Sequence, residues 1–329
     1  MRLGTVESAP GRRADGVLRV ARLVDASWVE IPACVFHGAR PGKRLWIQNG
    51  VHGNEYVGMA AMHRLRQRLV PQQMAGSIVL LPMVNIMAYR VMARSAPQDG
   101  LDMNRIWPGA GLDRAWHVYA HSELVVHAVW QEMRANADMV VDCHAGGWQN
   151  VMAPWVAYIH DPDSAVCRES ERLALATGLD VVWSRPPSFI AERTPGSLLG
   201  HLTREGVPSV VLEAGGEGRA TAHSVDMMER ALLNVAKLCG ILPGEPEVPQ
   251  VPRRVNKGHW VRAAEGGMWR LSTRLMTEVR QGEALGVITD LHGSALQEVA
   301  APAPGIIIGL RTLAVVNSGE YLANVAELV

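Results

Sequence analysis

The 329-residue chain is poor in cysteine. It has only Cys34, Cys143, Cys167 and Cys239, and no two of them stand in C-x-x-C spacing. That spacing argues against both a thiolate zinc cluster and a disulfide framework. Lysine is scarcer still, with Lys43, Lys237 and Lys257 beside an abundance of arginine, and the formal net charge is +0. Phosphate binding needs a basic surplus, so nucleic acid is not an expected partner. No run of 18 apolar residues occurs, so no membrane span is expected. The first sixteen residues are polar and Arg-bearing, unlike a signal peptide. A soluble, cytoplasmic protein is the expectation from these absences. No G-x-x-x-x-G-K-[ST] loop is present, and Gly216-Glu-Gly218 lacks the third glycine and the later acid of a dinucleotide fingerprint. A hydrophobic fraction of 48% against 19% charged residues excludes disorder as the dominant state.

What is present divides into two unequal parts. Residues 243–252 read PGEPEVPQVP, and four prolines in that stretch cannot sit inside a helix or a central strand. The expected organisation is a catalytic domain over 1–242, a linker over 243–253 and a C-terminal β domain over 254–329. In the first part short apolar runs at 45–48, 78–84, 139–142, 156–159, 181–183 and 210–212 predict buried strands, and helical spacing appears at 55–69, 116–134 and 226–239. Strands alternating with helices predict an α/β fold with a parallel or mixed sheet. The last part has glycines punctuating short apolar stretches, which predicts a small all-β barrel or sandwich.

In α/β sheets ligands bind beyond the carboxyl ends of the strands. Three predicted strands run into polar residues there: Gln48-Asn-Gly-Val-His52-Gly-Asn-Glu55, Asp142-Cys-His144-Ala-Gly-Gly147 and Glu213-Ala-Gly-Gly216. His52, Glu55 and a distant His144 make two imidazoles and a carboxylate, the donor set of a catalytic zinc with one position open for water. Glu213 is then the candidate general base. Each group alone has a duller reading. An isolated H-x-x-E is weak, a lone His144 suits a core histidine bonded to backbone, and a lone Glu213 suits an ion pair. Four of them at strand ends of one domain favour the metal. The pair is neither H-E-x-x-H nor H-x-x-E-H, since Tyr56 follows Glu55.

Asp102-Met-Asn104-Arg105 offers an amide beside a guanidinium, which suits a substrate carboxylate. A loop salt bridge is the alternative. Arg90 and Arg94 lie upstream, and Arg94 is the better placed to stabilise an oxyanion. A competing metal site can be drawn from His117 and His121, four apart, with Glu123 or His127, but a solvated helix face explains them more simply.

His52-Gly-Asn-Glu55, Asp102-Met-Asn-Arg105, Asp142-Cys-His144 and Glu213-Ala-Gly-Gly, in that order over residues 40 to 220, resemble the succinylglutamate desuccinylase/aspartoacylase family, a branch of the zinc carboxypeptidase superfamily. The resemblance implies a zinc-carboxypeptidase-like mixed sheet flanked by helices, with a smaller C-terminal all-β barrel domain. It also implies one Zn2+ per chain on His52, Glu55 and His144, carboxylate binding by Asn104 and Arg105, Glu213 as general base and Arg94 as the carbonyl-polarising arginine. Two departures stand out: the loop from Arg94 to Asn104 is longer than in aspartoacylases, and Asp-Cys-His replaces the more frequent Asp-Leu-His. The tail is similar to biotinyl/lipoyl carrier barrels, but its one lysine, Lys257, lies near its start, so a swinging-arm role is not expected. The expected activity is removal of an acetyl or dicarboxylic acyl group from the nitrogen of an amino acid or similar small carboxylate. The partner is thus a small-molecule N-acyl amino acid; homo-oligomerisation is left open. A metallocarboxypeptidase acting on short peptides is the first alternative, and a non-catalytic binding protein on the same fold is the second.

Overall fold

The computed structural model describes residues 1–110 and 120–329. Its frame is a continuous sheet of twelve strands among the described residues. Four central strands run parallel: Ser209–Gly216, Met139–His144, Arg40–Asn49 and Ala75–Leu81. Beyond Ala75–Leu81 the antiparallel pair Trp28–His37 and Arg12–Arg22 forms one edge. On the other side Asn150–Ile159 pairs antiparallel to Ser209–Gly216 and parallel to Val181–Arg185.

The central strands are apolar on both faces because both faces are covered. Leu45 and Ile47 pack with Ile78, Leu80 and Val141 under the helices Val57–Arg68 and Ala222–Leu238. Trp46, Val79, Leu81 and Val140 point the other way, into a second core under His121–Asn136. The helix Ala222–Leu238 begins where Thr221 accepts the Ser224 amide, a side-chain cap that satisfies one orphan donor of the first turn. The helices expected at 55–69 and 226–239 are thus present, with ends moved by a few residues. The one expected at 116–134 is observed as His121–Asn136, and 116–119 lie outside the described residues.

The C-terminal β unit does not stand apart from the large sheet. Arg253–Arg262 pairs parallel to Val181–Arg185 and antiparallel to Tyr321–Leu328. Tyr321–Leu328 pairs with Gly305–Arg311, which returns to Asn150–Ile159. Five strands therefore close a barrel, and two of them precede the proline-rich stretch. The expected barrel is present, but it is completed by two strands from outside 254–329. The C-terminal strands add to an edge that the large segment leaves open, and closure removes unpaired backbone groups from both. A four-stranded sheet, ordered Ala295–Ala300, Ala284–Thr289, Gly267–Leu271 and Val315–Val316, completes the unit. No helix among the described residues is long and apolar enough to cross a membrane.

Candidate metal centre and substrate cleft

His52 and Glu55 lie in the turn between strand Arg40–Asn49 and helix Val57–Arg68, and His144 ends the neighbouring parallel strand. All three are buried, and one ligand atom from each lies within 4.8 Å of the others. His52 Nδ1 is 2.8 Å from Glu55 Oε1, His144 Nδ1 is 2.9 Å from Glu55 Oε2, and the two Nδ1 atoms are 3.2 Å apart. The outer nitrogens are also held. His52 Nε2 is 3.0 Å from Asp102 Oδ1, and His144 Nε2 is 2.9 Å from Asp142 Oδ2. A carboxylate on the outer nitrogen fixes the ring and its tautomer, the arrangement usual around metal-bound histidine.

Electrostatics tests the fit to a cation. Burial pushes the Glu55 carboxyl up, but His52 and His144 outweigh it and hold the group well below the usual carboxylate range. Burial lowers His144, and the carboxylates of Asp142 and Glu55 more than reverse that, raising it well above an ordinary imidazole. The buried carboxylates favour positive charge in a dry place, and two ring nitrogens converge with a carboxylate on one point. Two imidazoles and a carboxylate fit a zinc ion.

Asp102 does more than introduce the Asn104-Arg105 pair. It bridges His52 to Arg94, whose Nη2 donates to Asp102 Oδ2 at 3.0 Å and whose Nη1 reaches Glu55 Oε1 at 3.5 Å. Burial pulls the Arg94 guanidinium down, and Asp102, Glu55 and Glu213 reverse this and keep it firmly charged. Arg90 is exposed and leans on Met87 instead. The amide oxygen of Asn104 accepts the Leu198 N–H at 2.9 Å, leaving its NH2 for a ligand. Arg105 is exposed at the rim and donates Nη1 to the Asn104 carbonyl.

Glu213 sits in register with His144 on one side and Trp155 on the other. Its Oε2 is buried without a hydrogen-bond partner. Burial, then the nearby Glu55 charge, push its carboxyl up to about 8, with His144, Arg94 and Arg185 pulling the other way. The pairing register shifts just after it, between Glu213 and Gly215. Gly216 has φ +152°, and a Cβ there would lie 2.0 Å from the Asn150 carbonyl oxygen, so only glycine allows this approach.

His52, Glu55, Arg94, Asn104, Arg105, His144 and Glu213 all line one cleft of ≈ 200 Å³. Its far wall carries Trp155, Trp183, Arg185 and Phe189, with Trp260 and Asn324 from the C-terminal strands. Asp142 was legible in principle, since two residues apart on a strand means one face with His144. Among the described residues no other His, Cys, Asp or Glu group gathers three ligand atoms. His117 lies outside the described residues; Glu123 caps its helix by accepting the Ala120 N–H, and His127 lies 3.5 Å from Gln131. Cys143 is fully buried, and burial raises its thiol, which suits no nucleophile. Lys257 is exposed and pairs with Glu327.

The succinylglutamate desuccinylase/aspartoacylase catalytic-domain pattern matches residues 41–239. An N-alpha-acetyl-L-2,4-diaminobutyric acid deacetylase of Halomonas elongata is 29% identical over 314 residues, 93% of this chain and 88% of that one. A succinylglutamate desuccinylase/aspartoacylase crystal structure from Rhodobacter sphaeroides is 27% identical, with a TM-score of 0.85 over 98% of this chain and 99% of that one. The product-bound ectoine utilization protein EutE (DoeB) from Ruegeria pomeroyi shares the fold at 22% identity, with a TM-score of 0.86 over 99% and 100% of the two chains.

Proposed function

Because the chain belongs to the succinylglutamate desuccinylase/aspartoacylase family, we propose that it is a zinc-dependent amide hydrolase that releases an acyl group from the nitrogen of an amino acid or a similar small carboxylate. The observation that carries this reading is the convergence of the buried His52–Glu55–His144 donors with the unpartnered Glu213 carboxylate in one cleft. The Halomonas deacetylase supports the reaction class.

His52, Glu55 and His144 would hold the zinc, with Asp102 and Asp142 fixing the two rings. Bound there, zinc supplies a Lewis acid and brings the pKa of a water close to ~7. Glu213 takes the proton of the attacking water and delivers it to the leaving amine. The Arg94 guanidinium faces the oxyanion that develops on the amide carbonyl. The Asn104 NH2 and the Arg105 fork grip the substrate carboxylate and orient the amide.

Trp260 and Asn324 narrow the side of the cleft facing the cluster, which favours a small substrate over a short peptide. The test is amine release from N-acetyl, N-succinyl and N-formyl amino acids and blocked peptides, with and without chelator. Glu213→Gln is expected to retain zinc and to lose about 10²–10⁴-fold in kcat. Full turnover by Glu213→Gln, or release of C-terminal residues from peptides alone, would overturn the proposal.

A further inference from the structure

A buried row of hydrogen-bonded side chains leads from the candidate metal centre back into the sheet. Gln48 and Asp142 are register partners on the parallel strands Arg40–Asn49 and Met139–His144. Residues two apart on a strand share a face, so Trp46 stands behind Gln48 and His144 ahead of Asp142. Trp46 and Gln48 are fully buried, and Asp142 and His144 nearly so. The Trp46 Nε1–H donates to Gln48 Oε1 at 3.2 Å, and the Gln48 NH2 donates to Asp142 Oδ1 at 3.1 Å. Asp142 Oδ2 lies 2.9 Å from His144 Nε2, and His144 Nδ1 lies 2.9 Å from Glu55 Oε2. The outer register partners are apolar, Leu81 beside Gln48 and Val211 beside Asp142. Among the described residues Gln48 is the one hydrogen-bond donor to Asp142 Oδ1.

The row has a direction. An indole N–H can only donate. It requires the carbonyl oxygen of Gln48 on its own side, which turns the NH2 towards Asp142. The NH2 can only donate in its turn, so Asp142 meets it as an acceptor. Held at Oδ1, the carboxylate presents Oδ2 to the ring as a second acceptor. With an ion bound, His144 then carries its proton on Nε2 and leaves Nδ1, the nitrogen turned to Glu55 and His52, as the donor atom. An amide that merely filled the core would be served by either orientation, whereas the Trp46 N–H admits one. Trp46 is itself anchored, packed with Val79 and Val140 in the core under helix His121–Asn136. Neither Trp46 nor Gln48 lines the cleft, so neither touches a substrate there.

We infer that Gln48 is a positioning residue for the metal ligand His144, acting through Asp142, with Trp46 setting the orientation of its amide. The inference rests on the zinc reading of the His52–Glu55–His144 cluster. It also makes a demand that a purely structural role does not. In Asp142→Asn the introduced amide has an acceptor end and a donor end. Gln48 claims the acceptor, which turns the introduced NH2 against His144 Nε2 and drives the ring proton to Nδ1. Gln48→Met in the same chain frees that amide to reverse. The second substitution therefore should not add to the damage of the first.

The experiment measures zinc affinity by chelator competition for the wild type, Gln48→Met, Trp46→Phe, Asp142→Asn and the double variant Gln48→Met/Asp142→Asn. The Tm of each metal-free protein is recorded alongside. Gln48→Met is expected to weaken zinc binding about 10-fold, the low end for an outer partner of a metal-bound histidine. Trp46→Phe keeps a ring in the core and removes only the N–H donor, and it should weaken binding in the same direction. The double variant is expected to bind zinc at least as tightly as Asp142→Asn. Two results would overturn the inference while leaving the zinc reading intact. One is wild-type zinc affinity in Gln48→Met and Trp46→Phe with only Tm lowered, which would assign the row to packing. The other is a double variant in which the two losses multiply, as they do for independent sites. A wild type that holds no zinc would overturn both readings.

Discussion

Substituting Gly196 with alanine isolates how the carboxylate-binding loop is held. Gly196 lies against the backbone of Arg105, and a Cβ there would stand 1.8 Å from the Arg105 carbonyl oxygen and 2.3 Å from its carbon. Non-bonded carbon contacts are optimal near ~3.5 Å, so the Arg105 backbone has to move by more than an ångström. It cannot move alone. The Trp107 N–H donates to the Gly196 carbonyl at 2.9 Å, Leu198 N–H binds the Asn104 side chain at 2.9 Å, and Arg105 N–H binds the Asp102 carbonyl at 2.9 Å. The whole turn from Asp102 to Trp107 shifts with it, carrying Asn104 and Arg105 away from the positions proposed to hold the substrate carboxylate. A misplacement of ~1 Å in a positioning group can lower turnover by ~10²-fold, and overpacking of this kind costs about 1–3 kcal/mol of stability. Gly196→Ala is therefore expected to lower kcat/KM by about 10²-fold, chiefly through KM, with a lowered Tm and with zinc retained. The control is Gly266→Ala, whose added Cβ would meet nothing closer than 3.4 Å. Steady-state kinetics on the best acyl amino acid, thermal denaturation and metal analysis read the outcome. A Gly196→Ala protein with wild-type kcat/KM and wild-type Tm would refute the claim that this contact positions the loop.

Two further predictions concern the metal cluster and its base. Asp142→Asn removes the negative charge behind the His144 ring and is expected to weaken zinc binding by about 10–100-fold in chelator competition; an unchanged affinity would show that the 2.9 Å contact of Asp142 does not tune the ligand. In the metal-free protein the Glu213 carboxyl is raised to about 8, against ~4.3 in an unfolded chain. The folded state thus holds a proton that the unfolded state releases. The stability contributed by the neutral carboxyl is fully present below ~4.3 and declines as pH rises to about 8. The Tm of metal-free wild type should therefore fall relative to that of Glu213→Gln between pH 5 and 8, and parallel Tm curves for the two would contradict a buried, proton-binding Glu213.

Much of the fold was legible because both faces of the central strands are covered, which leaves the short apolar runs 45–48, 139–142 and 210–212 unbroken in the sequence. The candidate metal centre was legible for a related reason. Its side chains come directly after those runs, so the strand-end rule located His52, His144 and Glu213 without knowledge of strand order. The edge strand Arg12–Arg22 went unseen because its exposed residues and arginines blur the apolar pattern, and its inner neighbour Trp28–His37 is broken up by Glu30 and Pro32. The segment 184–194 was legible as a candidate wall of the pocket but not in its chemistry, because the strand continues to Arg185 and the rings against its guanidinium come from Trp155, Trp183 and Phe189.

The least legible feature is the pairing of Arg253–Arg262 with Val181–Arg185, for which no local signal exists. Periodicity reports which face of a strand is buried, not which strand lies beside it. Composition marks the proline-rich stretch as a break, yet the chain crosses it and continues the same sheet, with Arg253↔Val181 and Val255↔Trp183 in register. That register sets Trp260 and Asn324 across the cleft from the His52–Glu55–His144 cluster. The division of labour follows from it. The parallel strands of the large segment carry the groups proposed for the chemistry, and the wall facing them is shared with the C-terminal strands. Changes in those strands can therefore alter which acyl amino acid fits while His52, Glu55, His144 and Glu213 stay where they are, so Trp260 and Asn324 belong in any engineering of substrate choice.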